Sequence, residues 1–151
     1  MPAADREALL FARLEVMAPQ ARRLLIAPSR SSLDVTPLAR RLVEVATEAG
    51  FEARMLDLRE GHGTKQSPEV ESTEMAVDAA SLRRSLEGQT GYTFLVAGGL
   101  LDYPSAVVAA AAADAVILAV QLGKTPRQDL EKCREQLRTS AARLLGSALV
   151  D

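Results

Sequence analysis

A chain of 151 residues, 48% hydrophobic and 25% charged, has the ordinary balance of a globular protein and the length to bury one core. A formal charge of −2 supplies no field for nucleic acid or anionic lipid. One cysteine and one histidine exclude an internal disulfide and any metal centre rich in those residues. Aromatic residues are 3% with no Trp, so the core has to be aliphatic and rich in Ala.

No segment reaches the roughly 20 apolar residues of a membrane-spanning helix. Asp5, Arg6 and Glu7 stand early, where a signal peptide would have a basic region followed by an apolar run. A cytoplasmic protein without direct membrane insertion is therefore expected, any membrane association coming through a partner.

Residues 5–17 read as a first helix, with Leu9, Leu10, Arg13, Leu14 and Met17 at helical spacing and Arg6, Glu7 and Glu15 off that stripe. Pro19 ends it. Arg22–Ala27 is a short apolar run closed by Pro28, the first strand. The polar turn that follows leads to Thr36-Pro37, a good N-cap before a residue favoured at the first helical position. That helix directs Leu38, Leu42, Val45 and Ala46 inward and stops at Gly50. Phe51–Leu58 becomes the second strand, followed by a glycine-rich loop and a helix over Glu69–Leu86.

Tyr92–Ala97 is the third strand, with Gly98-Gly99 at its end. A small-residue helix over Ser105–Ala113 precedes Ala115–Val120, whose continuous apolar character suits a central strand. A helix over Arg127–Ala142 and a fifth strand over Leu144–Val150 complete the chain. Strands alternating with helices imply one domain over 1–151, a three-layer α/β/α arrangement with a mainly parallel five-stranded sheet.

In open parallel sheets, ligands bind beyond the carboxyl ends of the strands. A phosphate loop there follows GxxxxGK[ST]: glycines let backbone N–H groups close round phosphate, Lys neutralises charge and the hydroxyl holds Mg²⁺. In the first turn Ser32 and Asp34 stand at glycine positions, Val35 at the lysine and Thr36 at the hydroxyl. Asp34 would aim negative charge at phosphate, and Thr36 is left with the work of a cap. A helix N-terminus can still draw a small anion.

Other candidates carry less chemistry. Gly98-Gly99 suits either close approach of a ligand or a plain turn. Asp57 and Arg59 suit either a ligand contact or a local ion pair. His62, between Gly61 and Gly63, reads as a solvated loop residue, and Cys133 has no base near it in sequence.

Three segments carry a resemblance to the bacterial tyrosine kinases of capsule and exopolysaccharide synthesis, and to ParA/MinD-type deviant P-loop ATPases. EALLFAR, Glu7–Arg13, resembles the ExxRxxR oligomerisation motif in its first and last members, with Leu10 in the middle. MLDLRE, from Met55, resembles I-D-A-D-L-R: Asp57 and Arg59 match, and Met55 stands at the first acid. YTFLVAGGLLDY and the segment after it resemble YDFVIIDTPP and its continuation, which sets the Walker B Asp at Gly98. The kinases also carry a tyrosine-rich tail, whereas Tyr92 and Tyr103 are the tyrosines here.

The resemblance implies a P-loop-NTPase-like fold with no catalytic residue, cofactor or metal: a pseudo-ATPase or pseudokinase. It implies a non-catalytic accessory protein of exopolysaccharide synthesis or export that acts by protein–protein contact through Glu7 and Arg13. Its partner would be itself, an active homologous ATPase or kinase, or the cytoplasmic part of a membrane polysaccharide chain-length regulator. A ParA/MinD-like positioning or pilus-assembly role, and a nucleotide or anion sensor without hydrolysis, are the alternatives. A different enzyme built on Gly98-Gly99 and Asp102 ranks last, because no nucleophile–base pair is visible.

Overall fold

The computed structural model describes residues 3–59, 79–88, 90–140 and 142–150. The elements run α1 (Ala3–Met17), β1 (Arg23–Pro28), α2 (Thr36–Glu48), β2 (Ala53–Asp57), α3 (Ala79–Leu86), β3 (Tyr92–Val96), α4 (Pro104–Ala112), β4 (Ala115–Gln121), α5 (Arg127–Thr139) and β5 (Leu144–Val150). Residues 69–78 of the expected third long helix, and His62, lie outside the described residues.

The five strands form one wholly parallel sheet in the order β2-β3-β1-β4-β5. Because side chains alternate across a strand, each interior strand feeds two cores. Leu24 and Ile26, Phe94 and Val96, and Ala115 and Ile117 enter the core under α1 and α2. Leu25 and Ala27, Leu95 and Ala97, and Val116 and Leu118 enter the core under α3, α4 and α5. β1 is the middle strand, and β4, expected to be central, lies inside the sheet beside it. Burying a side chain such as Leu25 or Ile26, fully inaccessible here, contributes about 1.5–3 kcal/mol.

The buried face of α1 is rotated from the one its spacing suggested. Phe11 and Leu14 are buried, with Leu10 packed against them, whereas Leu9 is 49% and Met17 52% exposed. The physical reason is aromatic. Phe11 meets Phe51 and Tyr92 edge-on at centroid distances of 5.8 and 5.1 Å, and Tyr92 stacks on Phe94 at 5.9 Å. All three phenylalanines and Tyr92 thus gather beneath α1, and that cluster outweighs what Leu9 and Met17 could bury elsewhere.

α4 is almost entirely small. Ala106, Ala109, Ala110 and Ala112 are buried, so its backbone lies close to the sheet between α3 and α5. α5 ends at Thr139, three residues short of the expected Ala142, and Cys133 and Leu137 are its buried residues.

β1 is flanked by β3 on one side and β4 on the other, and the chain leaves it for α2 on one face. The chain returns to β4 through α4 on the other face. The carboxyl end of β1 is therefore the place where the connections diverge and a crevice forms.

Candidate functional site

The crevice is bounded by the β1–α2 turn, the end of β2 and the β3–α4 turn. Pro28 and Ser29 carbonyls accept hydrogen bonds from the N–H groups of Leu100 and Leu101, both at 3.0 Å. The β3–α4 turn is thereby folded down on the β1–α2 turn. Ser31 N–H donates to Oδ2 of Asp102 at 2.7 Å, and Gly99 N–H donates to Oγ of Ser31 at 2.8 Å. Arg30 bonds Asp102 at 3.1 Å and Asp129 of α5 at 3.2 Å. An N–H of the kind that a phosphate loop turns on its ligand is committed here to an internal carboxylate.

The two glycines of the β3–α4 turn have different tasks. A Cβ on Gly99 would lie 2.6 Å from both Cα of Arg30 and N of Ser31. Neither a ligand nor a plain turn accounts for this glycine: two backbones touch. A Cβ on Gly98 would instead meet the Tyr103 ring at 2.8 Å and Oγ of Ser31 at 3.3 Å. The position where the Walker B acid would stand is occupied by an aromatic ring from the start of α4.

At the other wall, Arg59 gathers three of the candidate residues. Its Nε and Nη2 form a two-pronged contact with Asp57 at 2.9 and 2.7 Å. Nη1 donates to Asp34 at 2.9 Å, and Nη2 also donates to Oγ1 of Thr36 at 2.8 Å. Asp57 and Arg59, for which a ligand contact and a local ion pair were equally open, do pair with each other, and the pair is part of a bridge that crosses to a turn 25 residues earlier in the chain.

Thr36 does not cap α2. It is the first helical residue, after Val35, which makes no side-chain cap bond, and Pro37 follows at the second position. Asp34 accepts the Thr36 N–H at 2.9 Å, an Asx-type closure that leaves the Thr36 hydroxyl for Arg59. Val35 itself is 1% exposed and points into the core under α2, so a residue at the lysine position serves packing. Ser32 lines a cavity of about 260 Å³ between this turn and the β4–α5 turn, together with Ser29, Arg30, Lys124 and Thr125.

Three carboxyl groups around the sheet are held below the ordinary aspartate range. For Asp34 the hydrogen bonds from Thr36 dominate, with Arg59 adding to them. For Asp102 the Ser31 N–H dominates. For Asp114, burial raises the value, but the N–H groups of Arg22 and Arg23 and the Arg23 guanidinium outweigh it. A folded value below the unfolded one means stabilisation that is present above about pH 4 and lost as pH falls through the lowered folded value. The urea midpoint should therefore stay level from pH 7 to about 5 and fall below about 4. Asp114→Asn should make that fall shallower.

Cys133 lies in the core under α4 and α5, and burial pushes its thiol up to about 11. Labelling by a thiol reagent at neutral pH should be negligible in the folded protein and complete in urea. Rapid labelling without denaturant would show that α5 opens.

Glu7 and Arg13 stand apart from this crevice. They lie on α1, at a groove of about 270 Å³ shared with Leu38 of α2 and Ser147–Leu149 of β5. Arg13 is exposed, and Oε2 of Glu7 is buried without a hydrogen-bond partner among the described residues. Sequence reasoning missed Arg30, Ser31 and Tyr103, and named Asp102 only as a catalytic candidate, whereas its carboxylate is engaged by Ser31 and Arg30. Their one signal was position, just past the ends of β1 and β3. Among the described residues, no group of three or more His, Cys, Asp or Glu side chains could hold a metal ion. None of the helices described is long and apolar enough to cross a membrane.

The geometry defines an α/β sheet protein with a crevice at the position of a P-loop. No protein-family model and no curated protein sequence matches the chain. Solved structures do. The kinase domain of Escherichia coli tyrosine kinase ETK superposes with a TM-score of 0.82 at 12% identity, over 97% of this chain and 74% of that one. The BceF tyrosine kinase domain gives 0.80 at 12% identity, over 97% and 76%. The chimerical protein CapA2B2 gives 0.79 at 14% identity, over 99% and 84%. At such identities the shared property is the fold, that of bacterial tyrosine kinase domains.

Proposed function

We propose that this protein is a non-catalytic, P-loop-like accessory component of bacterial exopolysaccharide synthesis or export, cytoplasmic, acting by protein–protein contact. The observation that supports it best is the Arg59 bridge across the crevice. Phosphoryl transfer depends on cations and metal that stabilise phosphate oxygens. Here a guanidinium on that wall is bound to two carboxylates, Asp34 and Asp57, which leaves an excess of negative charge where phosphates would need the reverse. Ser31 N–H is engaged by Asp102, and the sequence offers neither the glycines nor the lysine of a phosphate loop.

The likeness to kinase domains supports the setting, and Glu7 and Arg13 on α1 supply the contact residues, with a second copy, an active homologous kinase or a membrane chain-length regulator as partner. Calorimetric titration with ATP and ADP, each with Mg²⁺, should give no binding. A dissociation constant tighter than about 100 μM, roughly −5.5 kcal/mol, would overturn the reading. The same titration decides the alternative of an anion sensor, which draws on the cavity lined by Ser29, Ser32 and Lys124.

A further inference from the structure

The two sides of the β1–α2 turn differ in the sign of what they meet. Toward β2 and β3 they are carboxylates: Asp57 through Arg59, and Asp102 at the Ser31 N–H. Toward β4 the turn borders the cavity of about 260 Å³ that it shares with the β4–α5 turn, and no acid is among the residues lining it.

One wall of that cavity is Ser29. It is 4% exposed, and its hydroxyl makes no hydrogen bond among the described residues. Leu25 and Ala27 of β1 face the core under α4 and α5, and the same alternation carried on to Ser29 turns its side chain toward the start of α5. A buried hydroxyl without a partner is unfavourable, so the cavity is where its hydrogen bond has to be made.

The opposite wall is a turn that presents donors. The Gln121 carbonyl accepts the Lys124 and Thr125 N–H groups at 3.0 and 2.8 Å, and the Gln121 N–H donates to Oγ1 of Thr125 at 2.8 Å. Thr125 Oγ1 is thereby engaged as an acceptor, and its own proton is left to donate. α5, 13 residues long, begins at this wall after Pro126 with no side-chain cap, which adds the positive end of a helix. Arg30 and Lys124 are the charged residues of the lining. Arg30 is divided between Asp102 and Asp129, whereas Lys124 enters no ion pair among the described residues.

We propose that this cavity binds a phosphate group, as free orthophosphate or as the monoester of a small molecule. Ser29, Ser32 and Thr125 donate to its oxygens and Lys124 supplies the charge. A volume of about 260 Å³ lies below the roughly 300–1,000 Å³ of pockets for larger organic ligands, which argues against a whole nucleotide. Phosphate binding here rests on the anion-binding alternative above and is independent of contact through α1.

Titration calorimetry with orthophosphate at constant ionic strength should give saturable binding, with sulfate in competition and chloride silent. Lys124→Gln should weaken it about tenfold or more and Ser29→Ala about threefold or more. Arg134→Gln, at another groove of α5, should bind as the native chain does. Because the Ser29 hydroxyl holds no other group, Ser29→Ala should unfold at the native temperature without phosphate and lose the rise in midpoint that phosphate brings. Glycerol 2-phosphate separates the two sources: tighter binding than orthophosphate assigns the monoester, and equal or weaker binding assigns the free anion. No saturable heat up to about 20 mM orthophosphate, or binding that both variants keep, would overturn the site and leave the contact reading standing. ADP with Mg²⁺ bound more tightly than about 100 μM, and lost with Lys124→Gln, would overturn both.

Discussion

Gly99→Ala should destabilise the protein by about 3 kcal/mol, whereas Gly98→Ala, one residue earlier, should cost about 1 kcal/mol or less. The chemical change is the same, and in an unstrained site a methyl group in place of Gly would favour folding by about 0.4–1 kcal/mol through the unfolded chain. The difference lies in what the methyl meets. At Gly99 it would lie 2.6 Å from Cα of Arg30 and N of Ser31, backbone atoms fixed by the Leu100 and Leu101 hydrogen bonds. At Gly98 it would meet the ring of Tyr103, a side chain 43% exposed and able to swing outward. Urea unfolding of the two variants measures the gap. Equal losses would mean that the β3–α4 turn can lift from the β1–α2 turn, and that the closure described above is not rigid. The same contacts bear on any attempt to restore a Walker B acid: Gly98→Asp needs the Tyr103 ring to leave first.

Arg59→Ala should cost about 2–3 kcal/mol, because it leaves Asp34 and Asp57 facing each other with no cation and removes four side-chain hydrogen bonds at once. The loss is smaller than for a fully buried pair, since the Arg59 and Asp57 side chains keep 19% and 18% of their exposure and Asp34 keeps 64%. Arg59→Lys should recover only part of the loss: a point charge cannot reproduce the two-pronged contact with Asp57 and also reach Thr36. Pairing Arg59→Ala with Asp57→Ala should cost less than the two single changes added together, because the second change removes the uncompensated charge. If Arg59→Ala left stability unchanged, the bridge would be a surface contact and the crevice would be open to solutes.

The β1, β3 and β4 runs were readable because strands buried on both faces need continuous apolar residues, and the alternation of elements then determined the layers. The start of α2 was readable to one residue from Thr36-Pro37. What was lost is instructive. The inward face of α1 was assigned from aliphatic spacing, and Leu9 and Met17 satisfied that spacing as well as Leu14 did. Nothing local could reveal that Phe11 would find Phe51 and Tyr92, which arrive from distant parts of the chain.

The crevice failed to read for the same reason. Asp34 looked like a charge in the wrong place and Thr36 like a cap, since the group that reconciles them, Arg59, reaches them only once β2 is laid two strands away from β1. Asp102 looked like a free acid because its donors, Ser31 N–H and Arg30, come from across the crevice. Local residues gave the missing chemistry; only the assembled sheet gave what had replaced it.

The placement of the tyrosines has an optical consequence. With no Trp in the chain, Tyr92 and Tyr103 dominate near-ultraviolet emission over the weakly emitting phenylalanines. Tyr92 begins β3 within the aromatic cluster under α1, with the Arg22 guanidinium 4.7 Å from its ring centre, whereas Tyr103 lies past the far end of the same strand over Gly98. The two fluorophores therefore sit at opposite rims of a parallel sheet. In a Tyr103→Phe chain, the remaining signal follows the docking of α1. In a Tyr92→Phe chain, it follows the crevice, so detachment of the first helix and opening of the turn can be timed separately without any added dye.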